Sequence, residues 1–149
     1  MMEIADKLST ADEPDIDELR CLLRIGVQWD TEVTKDAAGH AVTQAYCSAL
    51  PVGYSDCPPK LWARFARLVL EATYEATFCA SILNYLRTGN NKLYLTLVGG
   101  GVFKNRPEWI LQAIGRSMDL FKNTDLDVVI VSYRQSNAEV AEFIDKIST

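Results

Sequence analysis

LYLTLVGGGVFKNRPEWILQAIGRSMDLFKNTDLDVVIVSY, residues 93–133, is the stretch whose reading decides the fold. Its first six residues, 93–98, form an apolar run of strand length. Gly99-Gly100-Gly101 then interrupts it, and a helical pattern follows in which Ile110, Ile114, Met118 and Phe121 share a face. Residues 126–133 are almost continuously apolar, the pattern of a central parallel strand covered on both faces. A strand, a glycine turn, a helix and a second strand make a unit with a right-handed crossover. Ligands of such sheets bind outside the carboxyl ends of the strands, which here means Gly99–Asn105 and Tyr133–Asn137.

The flanking segments fit the same class. Between Cys57-Pro58-Pro59 and Gly89, the residues Leu61, Phe65, Leu68, Val69, Ala72, Ala76, Cys79, Leu83 and Leu86 recur at mostly three- and four-residue steps, predicting one long buried helix. Its stop is Thr88-Gly89-Asn90-Asn91, where glycine or asparagine takes the left-handed conformation. Upstream, Leu23, Ile25, Val27 and Trp29 alternate with Arg24, Gly26 and Gln28 as in a strand with one buried face, and residues 41–48 predict a second strand. Downstream, Ser136 and Glu139 have capping-box spacing ahead of Val140, Phe143, Ile144 and Ile147. The order β-β-α-β-α-β-α predicts an α/β fold with a mostly parallel sheet between helical layers.

Composition narrows the partners. The 149 residues suit one domain, 15–149, preceded by an acidic arm, 1–14, expected to be loose. Residues 1–18 hold seven acids against Lys7 alone, so this end concentrates the negative charge of a chain whose net charge is −5. That balance argues against nucleic acid and anionic membranes as partners. With no apolar window of membrane-span length, and no basic-then-apolar start, the expected compartment is cytoplasmic or nuclear. Cys21, Cys47, Cys57 and Cys79 have no paired spacing and His40 is the sole histidine, so neither a zinc site, a disulfide framework nor a cofactor is expected. Cys47, Cys57 and Cys79 read as core or turn residues, Cys79 on the apolar helical face.

The glycine triplet carries the chemistry. Three residues without side chains let a ligand reach the backbone, and positive φ angles turn amide hydrogens towards an anion. With Asn105 as N-cap, Pro107 in the first turn and Glu108 at the third position, the positive end of the next helix would add to that site. Phe103 would pack on a sugar ring and Lys104 would supply charge. The triplet is neither a Walker loop nor a dinucleotide fingerprint, because no Gly-Lys-Ser/Thr follows and Lys104 stands where the third glycine belongs. The same glycines also suit a tight turn that only lets helix approach sheet.

Residues 93–133 resemble the second half of a macrodomain, where a strand enters a Gly-x-Gly-x-Phe phosphate loop. IGVQWDTEVT and Gln44-Ala45-Tyr46-Cys47 are similar to segments of its poly(ADP-ribose) glycohydrolase branch. The resemblance implies a macrodomain-like three-layer α/β/α sandwich, incomplete at its N-terminal side, that binds ADP-ribose or an ADP-ribosylated protein. Gly99, Gly100, Gly101, Val102 and Phe103 would cradle the diphosphate and distal ribose, with Lys104 and Asn105 beside them and Tyr133 near the adenine. The glycohydrolases' glycine-rich stretch followed by Gln-Glu-Glu has no counterpart before Leu22. ADP-ribosyl hydrolysis would then need another carboxylate, and Glu32, at the end of the first strand, is the candidate catalytic residue. The alternative is a non-catalytic interaction or structural domain that has lost the nucleotide, and an open sheet edge would suit a homodimer.

Overall fold

The computed structural model describes residues 1–35, 39–132, 135 and 137–147. The chain is α/β, with helices α1 (Met2–Thr10), α2 (Glu13–Leu22), α3 (Pro59–Thr88), α4 (Pro107–Leu120) and α5 (Ala138–Ile147). Its strands are β1 (Gly26–Glu32), β2 (Ala41–Tyr46), β3 (Lys92–Leu95) and β4 (Asp127–Ile130). Among the described residues these strands form two separate two-stranded sheets, an antiparallel β1–β2 hairpin and a parallel β3–β4 pair, instead of the expected single mixed sheet.

The expected acidic arm is helical. Asp12 caps the N-terminus of α2, its carboxylate accepting a hydrogen bond from the Asp15 amide at 3.0 Å. Leu8 of α1 is buried, and the Arg64 guanidinium donates to its carbonyl at 2.9 Å. Both contacts help dock α1 on α3. Arg20 of α2 is itself buried and bonds Glu13, Asp17 and Glu71, which ties α2 to α3.

Helix α3 ends as its sequence predicts, at Gly89 with φ 76°. Its buried face includes Leu68 and Ala72 of the expected one and departs from it elsewhere. Ala66, Leu70, Thr73, Tyr74, Phe78 and Ser81 are buried, whereas Cys79, Leu83 and Leu86 are exposed. Apolar residues occur on more than one side of this helix, so periodicity alone does not choose which side the core takes. The core forms where Tyr74 and Phe78 meet Leu93 and Leu95 of β3 and Trp109, Ile110 and Ile114 of α4. Burying each of these large side chains contributes roughly 2–3 kcal/mol. Phe78 stacks on Phe121, with ring centroids 5.7 Å apart.

The strands are shorter and less covered than expected. In β3, Leu93 and Leu95 are buried while Tyr94 is 61% exposed. Val129 and Val131 at β4 are also exposed, so the β3–β4 pair is covered on one face and the expectation of a doubly covered strand fails. The first strand begins at Gly26, three residues later than the alternation at Leu23 suggests. Trp29 is not packed in the core; it is exposed beneath the Arg87 guanidinium, 4.6 Å from the ring centroid. Asp30 has φ 54° where the register shifts between Gln28 and Thr31, a bulge that takes a left-handed residue.

Candidate functional site

The glycine turn leaves the carboxyl end of β3 through a pinned exit. Tyr74 of α3 donates its hydroxyl to the Thr96 carbonyl at 2.8 Å and accepts the Val98 amide at 3.0 Å. Burial first, opposed by the Val98 hydrogen bond, pushes the Tyr74 phenol well above its ordinary range. It remains a neutral strut that satisfies two backbone groups between strand and turn.

The three glycines then have different reasons. Gly99 has φ 79°, and a Cβ there would lie 2.4 Å from the Ala49 Cβ and 2.7 Å from the Asn105 Nδ2. A Cβ at Gly100 would meet the Ile110 Cδ1 at 3.3 Å. Packing and φ demand glycine at 99, and packing crowds a side chain at 100. At Gly101 a Cβ would meet nothing within 4 Å, and its φ is not left-handed.

The turn closes partly on itself. The Gly100 amide donates to the Leu97 carbonyl, Lys104 to Gly101 and Asn105 to Gly99, at 3.1, 3.0 and 3.0 Å. These three amides are therefore not available to an anion, contrary to the expectation that the whole segment cradles it. Among the described residues, the amides of Gly99, Gly101, Val102 and Phe103 make no hydrogen bond. Gly101 and Val102 are exposed and Phe103 is half-buried, so the three consecutive unpaired amides begin on an open surface and end against the core.

The remaining residues of the segment have structural employment. Asn105 is buried, and its side-chain amide donates to the carbonyls of Leu50 at 2.8 Å and Gly99 at 3.3 Å. It is not the helix N-cap: Arg106 holds that position without a side-chain cap bond, and Pro107 opens α4. The two donations engage only the Asn105 Nδ2, and its Oδ1, the atom a cap would use, is buried without a partner. Phe103 meets Tyr54 edge-on, centroids 5.7 Å apart, and its carbonyl accepts the Gly53 amide at 2.8 Å. Lys104, with φ 54°, lays its stem against Gly53. At the start of α4 the Arg106 guanidinium stands 5.6 Å from the Trp109 ring centroid and pairs with Glu108 at 3.5 Å, with the Arg67 guanidinium 5.8 Å from the same ring.

Glu32 is not brought to this turn. It pairs with Ala41 at the far end of β2, while Ala49, beyond the near end, touches Gly99. The Ala41–Tyr46 strand alone spans roughly 17 Å. A second ruler agrees: Tyr74 contacts the turn's entry, Arg87 pairs with Asp30 at 2.8 Å, and the helix between them rises roughly 20 Å. Tyr133 and Ser136 lie outside the described residues. His40 lines a separate cleft, and no group of metal-binding side chains occurs among the described residues.

Sequence reasoning missed Tyr74. Its signal was a phenol within an apolar helical face, where a buried hydroxyl needs a partner. Comparison with family models, with curated proteins and with solved structures returns no match. Among the described residues no helix is long and apolar enough to cross a membrane.

Proposed function

We propose that this chain is a macrodomain-like module that binds ADP-ribose, free or on a protein, with the diphosphate on the amides of Gly101, Val102 and Phe103. The observation that carries the reading is Gly101: neither φ nor a neighbour demands glycine there, so the missing side chain serves an approach from outside. Consecutive unpaired amides and the start of α4 favour an anion at this point. The reading is one of binding without turnover by Glu32, whose distance from the turn leaves it beyond reach of a reacting water.

Calorimetric titration of ADP-ribose into the protein and into Gly101→Val tests it. The substitution should weaken binding at least tenfold, about 1.4 kcal/mol, and change unfolding stability by less than about 0.5 kcal/mol. Equal affinity for the two proteins removes the turn from the site. A second reading, an association domain without nucleotide, is favoured by the exposed Tyr94, Val129 and Val131. It predicts no heat with ADP-ribose and a homodimer in sedimentation equilibrium.

A further inference from the structure

The two small sheets stand on either side of one cleft. Its volume is 560 Å³, and its walls include Ala41 and Thr43 of β2 on one side and Lys92 and Tyr94 of β3 on the other. The floor is α3, through the short side chains of Thr77, Ala80 and Ser81, with Asn84 beside them. Thr43 donates its hydroxyl to the Asn84 Oδ1 at 2.7 Å, which fastens the β2 wall to that floor.

Both walls present free strand edges. The carbonyls of Asn91 and Leu95 accept the amides of Asp127 and Val131, at 2.9 and 2.7 Å. Alternate residues of a parallel ladder face opposite neighbours, so the Tyr94 amide and carbonyl and the Lys92 carbonyl point away from β4. On the other wall, the Val33 amide donates to the His40 carbonyl at 2.9 Å, and Val42 lies opposite Thr31. His40 and Val42 therefore face β1, and the backbone groups of Ala41 and Thr43 face away from it. The residues whose backbone is left over, Ala41 and Thr43 on one wall and Lys92 and Tyr94 on the other, line the cleft together with His40, Val42 and Leu93, and the Lys92 amide is already taken by the Asn90 Oδ1 at 3.0 Å. Two unpaired edges over a floor of short side chains have the complement of an extended backbone, because each wall lacks the same partner.

We propose that an extended peptide segment enters this cleft and adds as a strand to both β2 and β3, joining the two ribbons into one five-stranded sheet over α3. Side chains that face Thr77, Ala80 and Ser81 meet two hydroxyls and a methyl, which suits threonine, serine and valine. The opposite side chains face solvent beside Tyr94 and are unrestricted. This site is separate from the glycine turn and does not depend on nucleotide binding.

The test uses the full chain and a seven-residue acetylated, amidated peptide of alternating threonine and valine with lysine at each end. Hydrogen exchange should slow at least tenfold at both walls, at the amides of Thr43 and Tyr94, as the peptide saturates. The same peptide N-methylated at alternate amides keeps its side chains and loses its donors, and should bind at least tenfold more weakly. Absence of protection at millimolar peptide, protection of one wall only, or equal binding of the N-methylated peptide each overturns the proposal.

Discussion

Tyr74 shows what one hydroxyl does in this core. It bridges the Thr96 carbonyl and the Val98 amide where β3 gives way to the turn, with its ring almost wholly buried. Tyr74→Phe removes that bridge and leaves both backbone groups unpaired, so urea unfolding should show a loss of about 1–3 kcal/mol. The pH dependence follows from the raised phenol. The folded state binds the proton more tightly than the unfolded chain, whose phenol titrates near the ordinary value of 10.0. The Tyr74 contribution is then fully present below that pH and is lost as pH rises through the higher folded value. Alkaline unfolding should begin earlier in the wild type than its neutral stability suggests, and Tyr74→Phe should lack this component. Identical slopes of stability against pH for the two proteins would disprove the assignment. Gly99, Gly100 and Gly101 teach the complementary lesson at the same scale: three identical neighbours in sequence have packing reasons at two positions and none at the third.

Helix α2 is held by charge where most elements here are held by apolar burial. The Arg20 guanidinium is pulled two ways: burial disfavours its charge, while hydrogen bonds with Glu13, Glu71 and Asp17 outweigh that and hold its pKa above the ordinary value. Glu71 is the partner on α3, at 2.7 Å, and is itself largely covered. Arg20→Met keeps the stem and removes the head, stranding Glu71 against an apolar side chain. The expected cost is about 2 kcal/mol in urea unfolding, since hydrogen bonds to charged groups outrank neutral ones. A change below about 0.5 kcal/mol would show that solvent offsets these pairs and that they do not hold α2 in place. Helix α3 illustrates the limit of pattern at this scale. Its span and its Gly89 stop follow from local chemistry, but the buried side passes through Tyr74 and Ser81 while Leu83 and Leu86 face out.

Across the whole molecule, stability is unevenly shared. The α3–α4–β3 core contains the buried Phe78, Leu93, Trp109 and Ile114, whereas β1 and β2 are mostly exposed on both faces. The hairpin is tied to α3 by a few polar contacts, Thr43 with Asn84 and Arg87 with Asp30 and Trp29. Native-state hydrogen exchange should therefore find the β1–β2 amides opening at least tenfold more readily than those of α3 and β3. Equal protection would show the hairpin to be part of one cooperative unit. The sequence alone determined the strand–turn–helix–strand run from Lys92 to Ile130, the end of α3 and the special status of the glycine triplet, because periodicity and backbone preference act over a few residues. Tertiary structure decided that the strands divide into two ribbons, that residues 2–22 fold back as helices on α3, and that Glu32 stands far from the turn. Those outcomes are relations between distant segments, and which surface a segment buries depends on what the rest of the chain brings to it.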